Sequence, residues 1–176
     1  MLEPVAGQLL IATPLLDDPN FERAGVLNGE HGTAGTFGII LNRPLEIDID
    51  EHFPQWTSHL AVPATLFNGG PVAPDVVLGL TSALSNEVPI GNELSLVNLV
   101  KPPSSGTGQV RLFKGHASWV GGQLAAELAA GAWFVVNSVS GDVFTSEPDL
   151  LWRNVLRRQA DDLQLFTFYP RDITLN

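Results

Sequence analysis

Apolar and polar positions divide this chain into short runs separated by turn-forming residues. Gln8–Thr13 (Gln-Leu-Leu-Ile-Ala-Thr) is apolar without alternation and of strand length, which predicts a strand covered on both faces. Pro14 and the cluster Asp17-Asp18-Pro19-Asn20 end it in a turn, where Asp and Asn side chains bond their own backbone. A second apolar stretch, Ala24–Leu27, lies within Phe21–Glu30. The aromatic and β-branched run Phe37–Leu41 follows after Gly32-Thr33-Ala34-Gly35, so the two predict a hairpin. From Leu45 to Glu51, Leu45, Ile47 and Ile49 alternate with Glu46, Asp48 and Asp50; an edge strand and the start of a short helix through Trp56 both fit. Thr65–Asn68 and Val76–Leu80 predict strands around a Gly69-Gly70-Pro71 turn. Ser85–Gly91 reads as a polar turn, and Leu94–Val100 and Val110–Phe113 as strands. The intervening Pro102–Gly108 segment is linker-like, but too short to mark a domain boundary.

The period then changes. Leu124 and Leu128 stand four apart within Gly121–Ala130, alanines fill the helix, and Gly131 sits where a helix stops. Trp133–Asn137 predicts a strand. Ser146-Glu147-Pro148-Asp149 has the pattern of a capping box opening a second helix, whose stripe is Leu151/Val155 and Trp152/Leu156. Arg153, Arg157 and Arg158 lie off that stripe, the last two suiting the helix C-terminus. Leu165–Tyr169 predicts a final strand. Many strands followed by helix, strand and helix, with no βαβ alternation or internal repeat, predict an α+β fold.

Composition narrows this further. A chain of 176 residues fits one domain, 1–176, which buries roughly 70% of its unfolded surface. There are no cysteines, which excludes disulfides, thiolate metal sites and a cysteine nucleophile. The opening residues lack a basic region and the apolar run after them is too short for a signal peptide; no stretch nears the roughly 20 apolar residues of a membrane span. A cytoplasmic protein with no membrane association is expected. Nine basic against 19 acidic residues leave a net charge of −10, which disfavours direct nucleic-acid binding.

Familiar catalytic and nucleotide-binding motifs (G-x-S-x-G, Walker A, G-x-G-x-x-G, H-E-x-x-H) are absent, so no cofactor is expected. His31, His52, His59 and His116 lack metal-ligand spacing, and the run Glu46–Glu51 lacks the glycine and distal glutamate of a calcium loop; no metal is expected. Gly121-Gly122-Gln123 runs into a helix, where free N–H groups can hold an anion or two glycines can serve close packing. The polar residues beside turns, Asp18, Asn20, Arg23, His31, Asn42 and Arg43, flank strand ends where side chains can converge. The plainer alternative is that Asp18, Asn20 and Asn42 tie up loop backbone.

Several blocks resemble one family. Gly7–Pro14 followed by Leu16–Phe21, then Glu30-His31, Gly35, Gly38–Pro44, Asn68–Val72, Leu112–Leu124, Ala132-Trp133 and Phe144…Leu151-Trp152 stand in the order of the YqgE/AlgH family, over about residues 7–158. Gly115-His116-Ala117-Ser118-Trp119 departs from the family's usual Gly-Tyr-Ala-Gly-Trp, Ala24-Gly25 replaces a small hydroxyl residue, and the pattern is lost after residue 160. The resemblance implies a bifurcated β-sheet with a small closed barrel surrounded by helices. It adds Gly69, Gly70, Trp119 and Gln123 to the candidate ligand-binding residues, and it brings a transcriptional-regulator label with no DNA-binding motif behind it. The expected function is a non-catalytic binding or regulatory protein acting through a protein partner or a small ligand. The alternatives are an enzyme near Asp18, His31, Asn42 and Arg43, with His31 as general base and Arg43 holding an anionic substrate, and direct transcriptional regulation.

Overall fold

In a computed structural model, which describes residues 3–82, 88–160 and 162–171, the first apolar run forms β1 (Gln8–Ala12). Its side chains alternate: Leu9 and Ile11 enter one hydrophobic cluster, Leu10 and Ala12 another on the opposite face. The unbroken apolar pattern follows from that double coverage. β2 (Gly25–Gly32) and β3 (Gly35–Ile40) form the expected hairpin, with a bulge between Asn28 and Glu30. At that bulge a side chain on Gly29 would overlap the Phe37 ring.

The remaining strands are β4 (Leu66–Asn68), β5 (Val72–Thr81), β6 (Val88–Ile90), β7 (Leu94–Val97), β8 (Val110–Val120) and β9 (Trp133–Asn137). They form one sheet in the order β6-β7-β5-β8-β3-β2-β1-β9, with β4 beside β8. β8 is where the sheet forks. Its first half pairs antiparallel with β5 and parallel with β4; its second half pairs with β3. Gly115 stands at the fork with φ 73°, and Gly69 and Gly70 pass so close that a Cβ on either would overlap the backbone of residues 115–117. The sheet curls into an antiparallel half-barrel, the form in which the bifurcated sheet is realised.

Helices cover both faces. α1 (Gln123–Ala129) places Leu124 against Leu10, Val26, Trp119 and Trp133. α2 (Ser140–Val143) is one turn, and α3 (Leu151–Arg157) lays Leu151, Trp152, Val155 and Leu156 on the face of Leu9, Ile11 and Leu27. A third cluster, Ile49, Trp56, Leu66, Val110 and Leu112, lies under a 3₁₀ turn at Pro54–His59. Each fully buried leucine or tryptophan contributes about 1.5–3 kcal/mol through its removal from water. Among the described residues no helix is long and apolar enough to cross a membrane.

Four expectations change. Leu165–Tyr169 is not a strand but part of a 3₁₀ segment, Asp162–Phe168; Leu163 and Phe166, three apart, pack on the core while Leu165 and Phe168 face outward. The acidic run Glu46–Glu51 is neither strand nor helix, because Asp48 closes a turn onto the Asp50 N–H at 2.9 Å and helical turns begin only at Pro54. Ser146 does not cap α3, which is entered through a 3₁₀ turn, Pro148–Leu150, without a side-chain cap. Of the polar turn Ser85–Gly91, residues 85–87 lie outside the described part, and Val88–Ile90 pairs with β7 as a strand.

Candidate functional site

The site grows from the turn between β1 and β2. The Asp18 carboxylate accepts the Asn20 N–H at 2.9 Å, and the Phe21 and Ala24 N–H groups bond back to Asp18 and Phe21 carbonyls. Arg23 then takes a left-handed conformation, φ 51°. That strained turn is held by Asn42, which follows β3. Its Oδ1 accepts the Gly25 N–H at 3.0 Å and its Nδ2 donates to the Arg23 carbonyl at 2.9 Å, with only 6% of the residue exposed. Asn42 is thus a clamp on the backbone that aims Arg23.

Arg23 lies over the Trp152 ring, 4.6 Å from its centre, and donates to the Tyr169 carbonyl at 2.5 Å. Trp152 is itself pinned, its indole N–H donating to the Ala12 carbonyl at 2.8 Å. Arg43 donates to the Glu22 carbonyl. Among the described residues these contacts use one guanidinium nitrogen each. Arg23 and Arg43, with Arg153 of α3 and Arg171 of the C-terminal segment, line a cleft of about 600 Å³ whose acidic lining residues are Glu22 and Asp149. Burial lowers the pKa of Arg23, and the nearby Arg171 and Arg153 charges add to this against Glu22; burial likewise lowers Arg43, with Glu22 opposing and Arg171 assisting. Like charges are therefore gathered here, and among the described residues the ion pair within 4.0 Å is Arg158–Asp142, on the far end of α3.

The candidates of the sequence divide accordingly. Arg23, Asn42 and Arg43 line this cleft, and Asp18 lines an adjoining cavity with Asp17. Asn20 is exposed in the same turn. Asn68 reaches the cleft, while Gly69 and Gly70 just after it pack on the β8 fork. His31 lies outside this lining on the β2–β3 hairpin, its Nδ1 2.7 Å from the Thr36 hydroxyl. Trp119 and Gln123 meet at Glu127 on the α1 side: the indoles of Trp119 and Trp133 both donate to its Oε2, at 2.9 and 2.8 Å, and Gln123 donates to its Oε1 at 3.0 Å. Sequence reasoning missed Glu22, Trp152, Arg153 and Arg171 as companions of Arg23. Arg153 was visible only as part of an apparent basic cluster, which the structure splits, since Arg158 turns to Asp142.

Arg111, on β8, was also missed. It is 1% exposed, has no carboxylate partner among the described residues and donates to the carbonyls of Val143, Thr145 and Val62 at 2.9, 2.8 and 2.7 Å. Its guanidinium lies 4.4 Å from the Phe67 ring centre, and burial lowers its pKa to about 10. It ties β8 to the segment at Val143–Thr145 and to the loop at Val62, as a buried cation solvated by backbone dipoles.

A forked half-barrel sheet covered by helices defines a class of α+β protein, and known sequences and structures place that fold. The chain belongs to the AlgH-like family, whose pattern matches residues 9–164. It is 42% identical to a UPF0301 protein of Streptomyces coelicolor, over 98% of this chain and 95% of that protein, and 40% identical to a UPF0301 protein of Thermobifida fusca, over 98% and 96%. Among solved structures, a protein from Corynebacterium diphtheriae superposes with a TM-score of 0.88 at 32% identity, covering 96% of this chain and 94% of that one. The solution structure of the AlgH protein from Pseudomonas aeruginosa superposes with a TM-score of 0.68 at 26% identity, covering 97% of each chain.

Proposed function

We propose that this protein is a non-catalytic binding protein that acts as a regulator through an anionic ligand held in the arginine cleft. The observation that carries this reading is the gathering of Arg23, Arg43, Arg153 and Arg171 around one cavity in a chain of net charge −10. Folding brings like charges together there at an electrostatic cost, and an anion relieves it through bidentate guanidinium contacts. Guanidiniums hold charge and donate hydrogen bonds but do not exchange protons near neutral pH, so the lining is suited to holding a group rather than transforming one. A cytoplasmic place of action goes with this reading. Direct contact with a DNA duplex does not, because the surrounding acidity repels phosphate.

The test is thermal unfolding in inorganic phosphate against chloride at equal ionic strength. At 100 times its Kd the ligand adds about 2.7 kcal/mol, which raises Tm by roughly 5–10 °C at this length. Arg153 is exposed, so Arg153→Glu leaves the fold in place and abolishes most of the shift. A shift of equal size in that variant, or none in the natural protein, removes the reading.

A further inference from the structure

The arginine cleft does not end at its own walls. It shares Pro19, Glu22, Arg23, Trp152 and Arg171 with a second cavity of about 470 Å³ beside the β1–β2 turn, to which Asp17 and Asp18 belong alone. Through a separate part of its wall it shares Pro44, Leu45, Asp149 and Leu150 with a third, of about 650 Å³. That third cavity is lined by Glu46, Glu147 and Asp149 and by no basic residue. The three adjoin as one groove, and the charged residues that belong to its flanks alone are acidic, Asp17 and Asp18 in one and Glu46 and Glu147 in the other, with the arginines between them. In the centre four guanidiniums face two carboxylates, leaving two positive charges in excess.

We infer that the groove takes an extended polypeptide segment whose central residue is phosphorylated and whose neighbours on both sides are basic. This rests on the anion-binding reading of the cleft and names its occupant. Three features argue for it. A phosphorylated side chain carries close to two negative charges, matching the central excess, and its oxygens suit bidentate arginine contacts. The acidic ends repel a polyanion that continues past the centre, which counts against nucleic acid, and attract Lys or Arg placed beside the phosphate. Each cavity alone has the volume that takes a compact ligand of about 300–1,000 Å³, so an occupant of all three is a chain. Leu15 and Leu150, 75% and 40% exposed, one in each flanking cavity, offer that chain apolar contact.

The experiment is calorimetric titration of the full protein with inorganic phosphate, phosphoserine, and short peptides carrying central phosphoserine with lysine flanks, the same with glutamate flanks, and lysine flanks around unmodified serine. The lysine-flanked phosphopeptide binds more tightly than free phosphoserine and than its glutamate-flanked counterpart by about tenfold, the 1.4 kcal/mol that a few exposed charge pairs supply together. That preference shrinks severalfold in Asp17→Asn with Glu147→Gln, both exposed positions, while phosphate binding is retained. If peptides of either flank bind no better than phosphoserine, the peptide assignment falls and the anion site stands. If the unmodified peptide binds as well as the phosphorylated one, the phosphate assignment falls. If neither phosphate nor any peptide binds, both readings fall together.

Discussion

At the scale of single residues, two asparagines that each stand beside a turn do different work. Asn20 sits exposed in a turn, bonded through its own backbone to Asp18, whereas Asn42 spans from β3 to the Arg23 turn with a donor and an acceptor both used in the interior. Removing the Asn42 side chain orphans a buried N–H and a carbonyl, each worth about 1–3 kcal/mol. Asn42→Ala is therefore expected to lower unfolding free energy by about 2–4 kcal/mol in denaturant titration, while Asn20→Ala stays within about 0.5 kcal/mol. Because Asn42 also holds the carbonyl of Arg23, the variant weakens anion binding without touching the anion. Equal effects of the two substitutions on stability would show that Asn42 is not the clamp. Sequence alone offered both readings of these side chains, ligand contact and backbone tie. A hydrogen bond that reaches 17 or 19 residues along the chain leaves no local pattern by which to choose.

Among the elements, the glycines separate by what they approach. Gly70, at φ 147°, has no room for a Cβ against the backbone of His116 and Ala117, and that contact closes the fork between β4, β5 and β8. Gly122, at φ 81°, precedes α1 with open space where a Cβ would stand. Gly122→Ala is expected to cost about 1–2 kcal/mol, the left-handed conformation alone. Gly70→Ala must move backbone, and loses far more, read as loss of cooperative thermal unfolding or of soluble protein. If Gly70→Ala proves as mild as Gly122→Ala, the crossing at the fork is not what holds the strands in register. The glycines were legible in the sequence as turn residues and as family blocks; that one set packs backbone on backbone and another merely turns the chain required the tertiary contacts. The same limit governs Leu165–Tyr169. Its apolar content resembles a strand, and only the presence of Phe134, whose ring lies 5.0 Å from that of Phe166, shows the segment docking by side chains instead of pairing.

On the scale of the whole molecule, the charge is divided. A chain of net charge −10 carries a cleft with a local excess of positive charge, so ionic strength acts on two things in opposite senses. Screening relieves the general self-repulsion, with a Debye length of about 10 Å at 0.1 M salt, and it weakens the hold of the arginines on an exposed anion. Raising potassium chloride from low ionic strength is expected to raise the Tm of the free protein modestly and to lower its affinity for phosphate. Salt-independent phosphate affinity would mean that binding does not use the guanidinium charges.

The sequence by itself determined the α+β class, most strands, the α1 and α3 regions, the family and the polar turns beside β1 and β3. Those properties rest on periodicity, turn chemistry and the order of local blocks, all written within a few residues of one another. The tertiary structure alone decided that Arg23, Arg43, Arg153 and Arg171 share a cleft, that Trp152 supports one of them, and that Arg111 is buried among carbonyls. These residues come from the β1–β2 turn, the end of β3, α3, the C-terminal segment and β8, and nothing local couples them. Charge convergence is a property of how the sheet curls and where α3 lies across it, so it exists only once the chain has closed on itself.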